Sequence, residues 1–111
     1  MEISQKQLKH CDLVKITGRV DSSTAPQVSV VLKAITENGR FKIAIDCSEM
    51  EFISSAGLWV LVNIQKTCKR YNRGEVVLAA VAERIQSSLD LAGFIPYFTI
   101  VDTPTDAVGL F

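Results

Sequence analysis

The stretch "IAIDCSEMEFISSAGLWVLV", residues 43 to 62, decides the fold of this chain. It begins inside a short segment, residues 41–48, whose continuous apolar middle is typical of a central β-strand covered on both faces. The residues "EMEFISSAG" connect this strand to a segment from Ser55 to Tyr71 with apolar residues at helical spacing. A buried strand followed closely by a long amphipathic helix indicates a crossover unit of an α/β protein.

The residues that precede this unit predict a hairpin and a first helix. Residues 2–9 and 11–20 alternate loosely between apolar and polar side chains, which favours two antiparallel strands. The sequence "DSSTAP", residues 21–26, supplies the side chains with which helices commonly begin. Apolar residues then recur at helical spacing, namely Val28, Val31, Leu32 and Ile35.

The residues that follow the unit repeat the alternation of strand and helix. Residues 74–81 are rich in β-branched residues and predict another buried strand, and "AERIQSSLDLAGF" predicts a helix closed by Gly93. Residues 97–103 predict a last strand before a short C-terminal segment. The expected fold is therefore one α/β domain over residues 1–111, with a mostly parallel central sheet, an N-terminal antiparallel hairpin and crossover helices.

Composition excludes several classes of protein. The chain has 111 residues, 48% of them hydrophobic, and its 12 basic residues balance 12 acidic ones, which argues against nucleic acid as the main partner. The apolar runs are too short and too interrupted to span a membrane, and the first residues lack a signal-peptide pattern. Three cysteines without a CxxC spacing fit a reducing compartment, so we expect a cytoplasmic protein without membrane insertion.

Motifs of catalysis, cofactor binding and metal binding are not found in the sequence. Neither GxxxxGK[ST] nor GxGxxG is present, and His10, the only histidine, lies in the predicted hairpin turn. Cys11, Cys47 and Cys68 are interpreted as small buried hydrophobes, because their spacing fits no zinc site. Asp46, Glu49 and Glu51 are candidates for paired carboxylates or metal ligands, but no second acidic cluster or histidine accompanies them in the sequence. We therefore expect no enzyme activity, no cofactor and no metal site.

The helix over residues 55–71 separates into two faces at 100° per residue. The side assigned to the sheet contains Gly57, Val60, Leu61, Ile64, Cys68 and Tyr71, with Leu58 and Gln65 at the border. The outer side contains Ser55, Trp59, Val62, Asn63, Lys66, Lys69 and Arg70. Two interpretations remain open: Ser54 or Ser55 caps the helix while Trp59 and Val62 pack under a neighbour, or these residues form a protein-binding surface with Ser55 at its rim.

Three segments together resemble the STAS domain of bacterial anti-sigma-factor antagonists. "IAIDCSEMEFISSAGLWVLV" is similar to the family's strand, D-[LC]-S, loop and [DS]-S-x-G-L helix start. "ITGRVDSSTAP", residues 16–26, resembles its G-x-[LIV]-D-x-x-[ST]-[AS] segment, and "LDLAGFIPYFTIVDT", residues 89–103, resembles its ending. The likeness covers nearly the whole chain, with the segments in the family's order.

The resemblance implies a partner-switching regulator. Such an antagonist binds an anti-sigma factor that is also a serine kinase of the GHKL type, which releases a sigma factor; phosphorylation ends the complex and a PP2C-type phosphatase reverses it. The phosphorylated residue would be Ser55, with Ser54 as the less favoured alternative. The predicted partner-binding residues are Asp21, Ser22, Ser54, Ser55, Trp59, Val62 and Lys66.

The chain departs from the family pattern at two positions. Ser54 occupies a place where well-known members carry Asp, and Trp59 occupies one where many members have a small residue. The alternative function is a STAS subunit of a lipid-transport ABC complex, or a signalling scaffold, that uses the same helix face for constitutive contacts. Binding of a nucleotide or another small molecule is a third hypothesis, which no further residue supports.

Overall fold

The computed structural model describes residues 1–71 and 74–111, which form six strands, four α-helices and one short 3-10 helix. In chain order the elements are β1 (Glu2–Gln7), β2 (Asp12–Val20), α1 (Ala25–Glu37), β3 (Lys42–Asp46), β4 (Met50–Ile53), α2 (Ser55–Arg70), β5 (Glu75–Ala79), α3 (Glu83–Leu91), the 3-10 helix (Ile95–Tyr97), β6 (Thr99–Val101) and α4 (Pro104–Gly109).

The six strands form a mostly parallel sheet, as the sequence predicts. The strand order is β1-β2-β3-β5-β6, and β4 pairs with β2. Among the strands in the described residues, β1 and β2 are the antiparallel pair, and they form the N-terminal hairpin. The pairs β2–β3, β3–β5 and β5–β6 are parallel, with α2 crossing between β4 and β5 and α3 between β5 and β6.

The strand β4 was not predicted, because its residues were assigned to the connection after β3. The nine-residue strand β2 extends beyond its pairing with β3, so its last backbone groups need another partner. Gly18 N donates to Glu49 O at 2.9 Å, and Val20 pairs with Ile53. Gly18 has a φ of 93° and a bulge follows it, which turns the end of β2 toward β4.

Two differences affect the C-terminal part. The last strand is shorter than expected, because β6 covers only Thr99–Val101 and Tyr97 belongs to the 3-10 helix. The short segment after it forms α4, where the Thr103 hydroxyl caps the helix by accepting from Asp106 N at 3.1 Å. A proline in the first turn supports this start, since its fixed φ suits a helix and no amide donor is lost.

The core lies on both faces of the sheet, which explains the continuous apolar runs in β3 and β5. One face packs against α1, α2 and α3 in a cluster that includes Ile43, Ile45 and Leu78. The opposite face packs against α4 through Ala44 and Val77, among others. Because successive strand residues point to opposite faces, a strand covered on both sides must be apolar at every position.

Candidate functional site

The predicted site lies where β2 and β4 end side by side. Ser54 N donates to Val20 O at 2.8 Å, directly after the last paired residues of the two strands. The chain leaves β2 at Asp21 toward α1, and it leaves β4 at Ser54 toward α2. The segments that begin α1 and α2 therefore lie next to each other at one edge of the sheet.

Ser54 is the N-cap of α2. Its backbone is extended, with φ −85° and ψ 173°, and its Oγ accepts a hydrogen bond from Gly57 N at 3.3 Å. This contact satisfies one of the free amides of the first turn, which is the usual function of serine at this position. The interpretation of Ser54 as a cap is confirmed, and its half-buried hydroxyl is engaged within the protein.

Gly57 allows the first turn of α2 to pack closely on the two strands. A Cβ at this position would lie 2.7 Å from Ile53 Cγ1 and 2.8 Å from Val20 Cγ1. Any side chain here would push the helix away from the strand ends. Gly57 therefore faces inward, as predicted, and it fixes the position of the residues on either side of it.

Ser55 is the first residue of the 16-residue helix α2 and its side chain is exposed. The first turn of α2 contains no acidic side chain, so nothing in it offsets the positive end of the helix dipole. Free backbone amides and this dipole make the start of a long helix compatible with an added phosphate group. The role of Ser55 as the modified residue stays a prediction.

Asp21 is held by its own turn. Its Oδ1 accepts from Ser23 Oγ at 2.7 Å, from Ser23 N at 2.9 Å and from Thr24 N at 3.1 Å. These hydrogen bonds, above all those from Ser23, lower the pKa of the Asp21 carboxyl below its ordinary value. Asp21 thus stabilises the start of α1, next to the start of α2. The following residue, Ser22, is exposed.

Val62 packs under a neighbouring helix, as the first of the two interpretations of the outer side expects, so it is not available there as a partner-binding residue. Val62 is 1% exposed and belongs to the same buried cluster as the apolar face of α1, which packs against α2. The outer face is consequently narrower than the sequence predicts. It consists of Ser55, Trp59, Asn63, Lys66, Lys69 and Arg70, all of which are exposed.

Further differences on α2 concern Tyr71 and Gln65. Tyr71, expected to face the sheet, is 46% exposed beyond the helix end and stacks on Phe41 with 4.8 Å between ring centroids. Gln65, expected at the border, is buried, and its Oε1 accepts from Val76 N at 2.7 Å. The sequence around Gln65 does not indicate this hydrogen bond, because Val76 belongs to β5 and is distant from Gln65 in the helical pattern.

Trp59 has an aromatic neighbourhood that the helix pattern could not indicate. Its indole is 51% exposed, and its ring meets the ring of Phe94 edge to face at 5.2 Å between centroids. Phe94 in turn meets Tyr97 at 6.1 Å. Phe94 directly precedes the 3-10 helix and Tyr97 is its last residue. The sequence indicated this neighbourhood only through the number of aromatic residues in a short segment.

The cysteines, the histidine and the acidic residues considered as metal ligands or catalytic groups lie apart from the start of α2 or are engaged in local contacts. Cys11, Cys47 and Cys68 are buried, and burial raises the pKa of the Cys47 and Cys68 thiols to about 12. His10 is exposed in the hairpin turn, as expected. Asp46 Oδ1 accepts from Ser48 N at 2.9 Å, and Glu49 pairs with Lys15 at 3.5 Å.

Within residues 1–71 and 74–111, no group of three or more His, Cys, Asp or Glu side chains is arranged to hold a metal ion. In the same part of the chain, none of the helices combines the length and the apolar character that crossing a membrane requires.

Comparison with known proteins gives consistent matches in sequence and in fold. The family model described as STAS domain matches residues 2–107. An anti-sigma-B factor antagonist of Listeria monocytogenes is 28% identical over 93 residues, which are 84% of this chain and 80% of that protein.

Two solved structures show the same fold. An anti-sigma-factor antagonist (STAS) domain protein from Planctomyces limnophilus superposes with a TM-score of 0.86 at 18% identity, covering 97% of this chain and 95% of that one. The Bacillus cell fate determinant SpoIIAA in its phosphorylated form superposes with a TM-score of 0.77 at 13% identity, covering 98% of each chain.

Proposed function

The chain belongs to the STAS domain family, and from this premise we propose that it is an anti-sigma-factor antagonist whose partner binding is switched by phosphorylation of Ser55. The observation that supports this most directly is the exposed Ser55 hydroxyl at the start of a 16-residue helix without an acidic first turn. Relatives named as anti-sigma-B factor antagonists support the class of partner.

The start of α2 can carry a phosphate without loss of the fold. A phosphoserine has a charge of about −1.5 to −2 at neutral pH, and the first-turn amides and the helix dipole attract it. This attraction stabilises the folded chain by about 0.3–1 kcal/mol at an exposed helix start. In a closed protein interface the same charge must lose its water, so the phosphate opposes binding and leaves folding intact.

Ser55 is a better phosphate acceptor than Ser54 for a geometric reason. The Ser54 hydroxyl is half-buried and already accepts from Gly57 N, whereas the Ser55 side chain is exposed. A kinase would have to break the cap of α2 to reach Ser54. Phosphorylation at Ser55 needs no such change.

The proposed partners are a GHKL-type anti-sigma factor with serine kinase activity and a PP2C-type phosphatase, both in the cytoplasm. The chain itself would act by binding and not by catalysis. Its balanced charge of 12 basic and 12 acidic residues agrees with a protein partner rather than nucleic acid.

The test compares two aspartate variants at neighbouring positions. Ser55→Asp adds a charge at the exposed acceptor, and we expect it to weaken binding of a purified GHKL-type anti-sigma kinase at least about tenfold. Ser54→Asp adds the same charge at the cap, where Asp is as good an N-cap as Ser, and we expect its affinity to stay within about threefold of the unmodified chain. Calorimetry measures both affinities, and mass spectrometry after incubation with the kinase and ATP identifies the modified residue.

Equal affinity of the Ser55→Asp variant and the unmodified chain would contradict phosphorylation switching. It would favour the alternative function, in which a STAS subunit of a lipid-transport ABC complex or a signalling scaffold keeps constitutive contacts. Phosphate found on Ser54 alone would contradict the choice of Ser55.

A further inference from the structure

An exposed group of aromatic rings lies next to the start of α2, close to Ser55. It consists of Trp59, Phe94 and Tyr97. We name it the aromatic cluster. Trp59 is 51% exposed and Tyr97 is 45% exposed, with the half-buried Phe94 ring between them. Large aromatic side chains at an exposed position contribute strongly to protein binding, because they bury a large area with few rotatable bonds.

The aromatic cluster is held in place by a buried amide. Gln65 Nε2 donates to Tyr97 O at 2.7 Å and to Val76 O at 3.0 Å. These bonds tie the 3-10 helix to α2 and to β5. The segment that carries Phe94 and Tyr97 is therefore positioned beside α2 before any partner arrives, and a partner that binds there loses less conformational entropy than with a mobile loop.

The surface next to the aromatic cluster is positive. Helix α2 contains no Asp or Glu, and its outer face continues from Trp59 to Lys66, Lys69 and Arg70. The ion pairs formed within residues 1–71 and 74–111 are Lys15–Glu49 and Arg40–Asp12, so these three cations have no carboxylate partner there. Helix α2 therefore carries a net positive charge, although the chain as a whole is balanced.

We propose that the aromatic cluster is the main contact for the same anti-sigma kinase, and that the kinase surface has an apolar pocket for the Trp59 ring with acidic residues beside it. This proposal rests on the proposed function and adds the chemistry of the partner. The cationic side chains Lys66, Lys69 and Arg70, toward the C-terminal end of α2, favour an acidic surface on the partner. Trp59 follows Ser55 by four residues, about 6 Å along the helix axis, so a phosphate on Ser55 lies at the rim of this contact.

The experiment uses a purified GHKL-type anti-sigma kinase as the probe. We expect Trp59→Ala to weaken binding at least about 30-fold, as for an interface residue that carries much of the affinity. Trp59→Phe should weaken it by less than Trp59→Ala, because a smaller aromatic ring remains. Leu110→Ala, which truncates a residue 57% exposed next to α4 on the opposite side of the sheet, is the matched control and should leave affinity within about twofold.

A second variant keeps the test independent of folding. Lys66 is exposed, so Lys66→Glu should not alter the thermal unfolding midpoint. We expect it to lower the association rate about tenfold at low salt, with the difference from the unmodified chain shrinking as salt rises.

The outcomes separate the two proposals. If the kinase binds the unmodified chain and Ser55→Asp weakens it, but Trp59→Ala and Lys66→Glu bind normally, the aromatic cluster is not the contact and the switch stands. If no GHKL-type anti-sigma kinase binds the unmodified chain, the proposed function is refuted and this inference with it.

Discussion

Replacing Gln65 by Leu removes a buried amide that joins three elements of the fold. Val76 N donates to Gln65 Oε1 at 2.7 Å, and Gln65 Nε2 donates to Val76 O and Tyr97 O. Strand β6 begins only at Thr99, in register with Val77, so it does not reach the backbone groups of Val76. The Gln65 side chain supplies the hydrogen bonds that a longer β6 would otherwise make to Val76.

The cost of this replacement can be worked out from the groups that lose a partner. Val76 is fully buried, so its N–H has no access to water, which costs about 1–3 kcal/mol. Its carbonyl adds about 1 kcal/mol, and the part-buried Tyr97 carbonyl also loses its donor. We expect Gln65→Leu to lower the free energy of unfolding by about 2–4 kcal/mol, or Tm by about 8–16 °C for a domain of this size.

Urea and thermal unfolding followed by circular dichroism measure this change. The matched control is Asn63→Leu, the same kind of substitution at an exposed position of the same helix, and it should change stability by less than about 0.5 kcal/mol. Hydrogen exchange at the Val76 amide should also accelerate in the Gln65 variant. An unfolding free energy of Gln65→Leu equal to that of the unmodified chain would show that the amide does not replace the strand.

Two further results are expected. Gly57→Ala should lower stability by about 1–3 kcal/mol in urea unfolding, because its Cβ would meet Ile53 and Val20 within 2.8 Å, whereas Gly109→Ala, where nothing lies within 4 Å, should not; equal stability of both variants would argue against the close packing. The lowered pKa of the Asp21 carboxyl predicts that its hydrogen bonds stabilise the fold at neutral pH and are lost as pH falls below about 4. The Tm of the unmodified chain should therefore fall more on acidification than that of Asp21→Asn, and parallel pH profiles of the two would contradict this assignment.

Local chemistry was sufficient to predict that α2 begins at the Ser54–Ser55 pair and that β3 and β5 are buried strands. Both serines directly precede the helical pattern, and the structure assigns the cap to Ser54, whose hydroxyl accepts from Gly57 N within the same turn. Continuous apolar runs indicated that β3 and β5 are covered on both faces. These features depend on residues close together in the chain, which is why the sequence alone predicts them.

The composition of the proposed binding surface depended on contacts between distant segments. Helical periodicity assigns Val62 to the outer side of α2, because it reports which residues share a side and not which neighbouring helix covers that side. Strand β4 forms because the end of β2 extends past β3 and offers free backbone groups to pair with. The four residues of β4 do not by themselves indicate this partner.

By itself the sequence determined the α/β class, the helix that begins at the Ser54–Ser55 pair and the presence of Ser55 and Trp59 on one side of that helix. Only the tertiary structure decided that Val62 is covered, that Gln65 completes the hydrogen bonding of β5 and that Phe94 and Tyr97 lie beside Trp59. The physical reason is that capping and periodicity act over a few residues, whereas burial depends on which segments the folded sheet brings into contact.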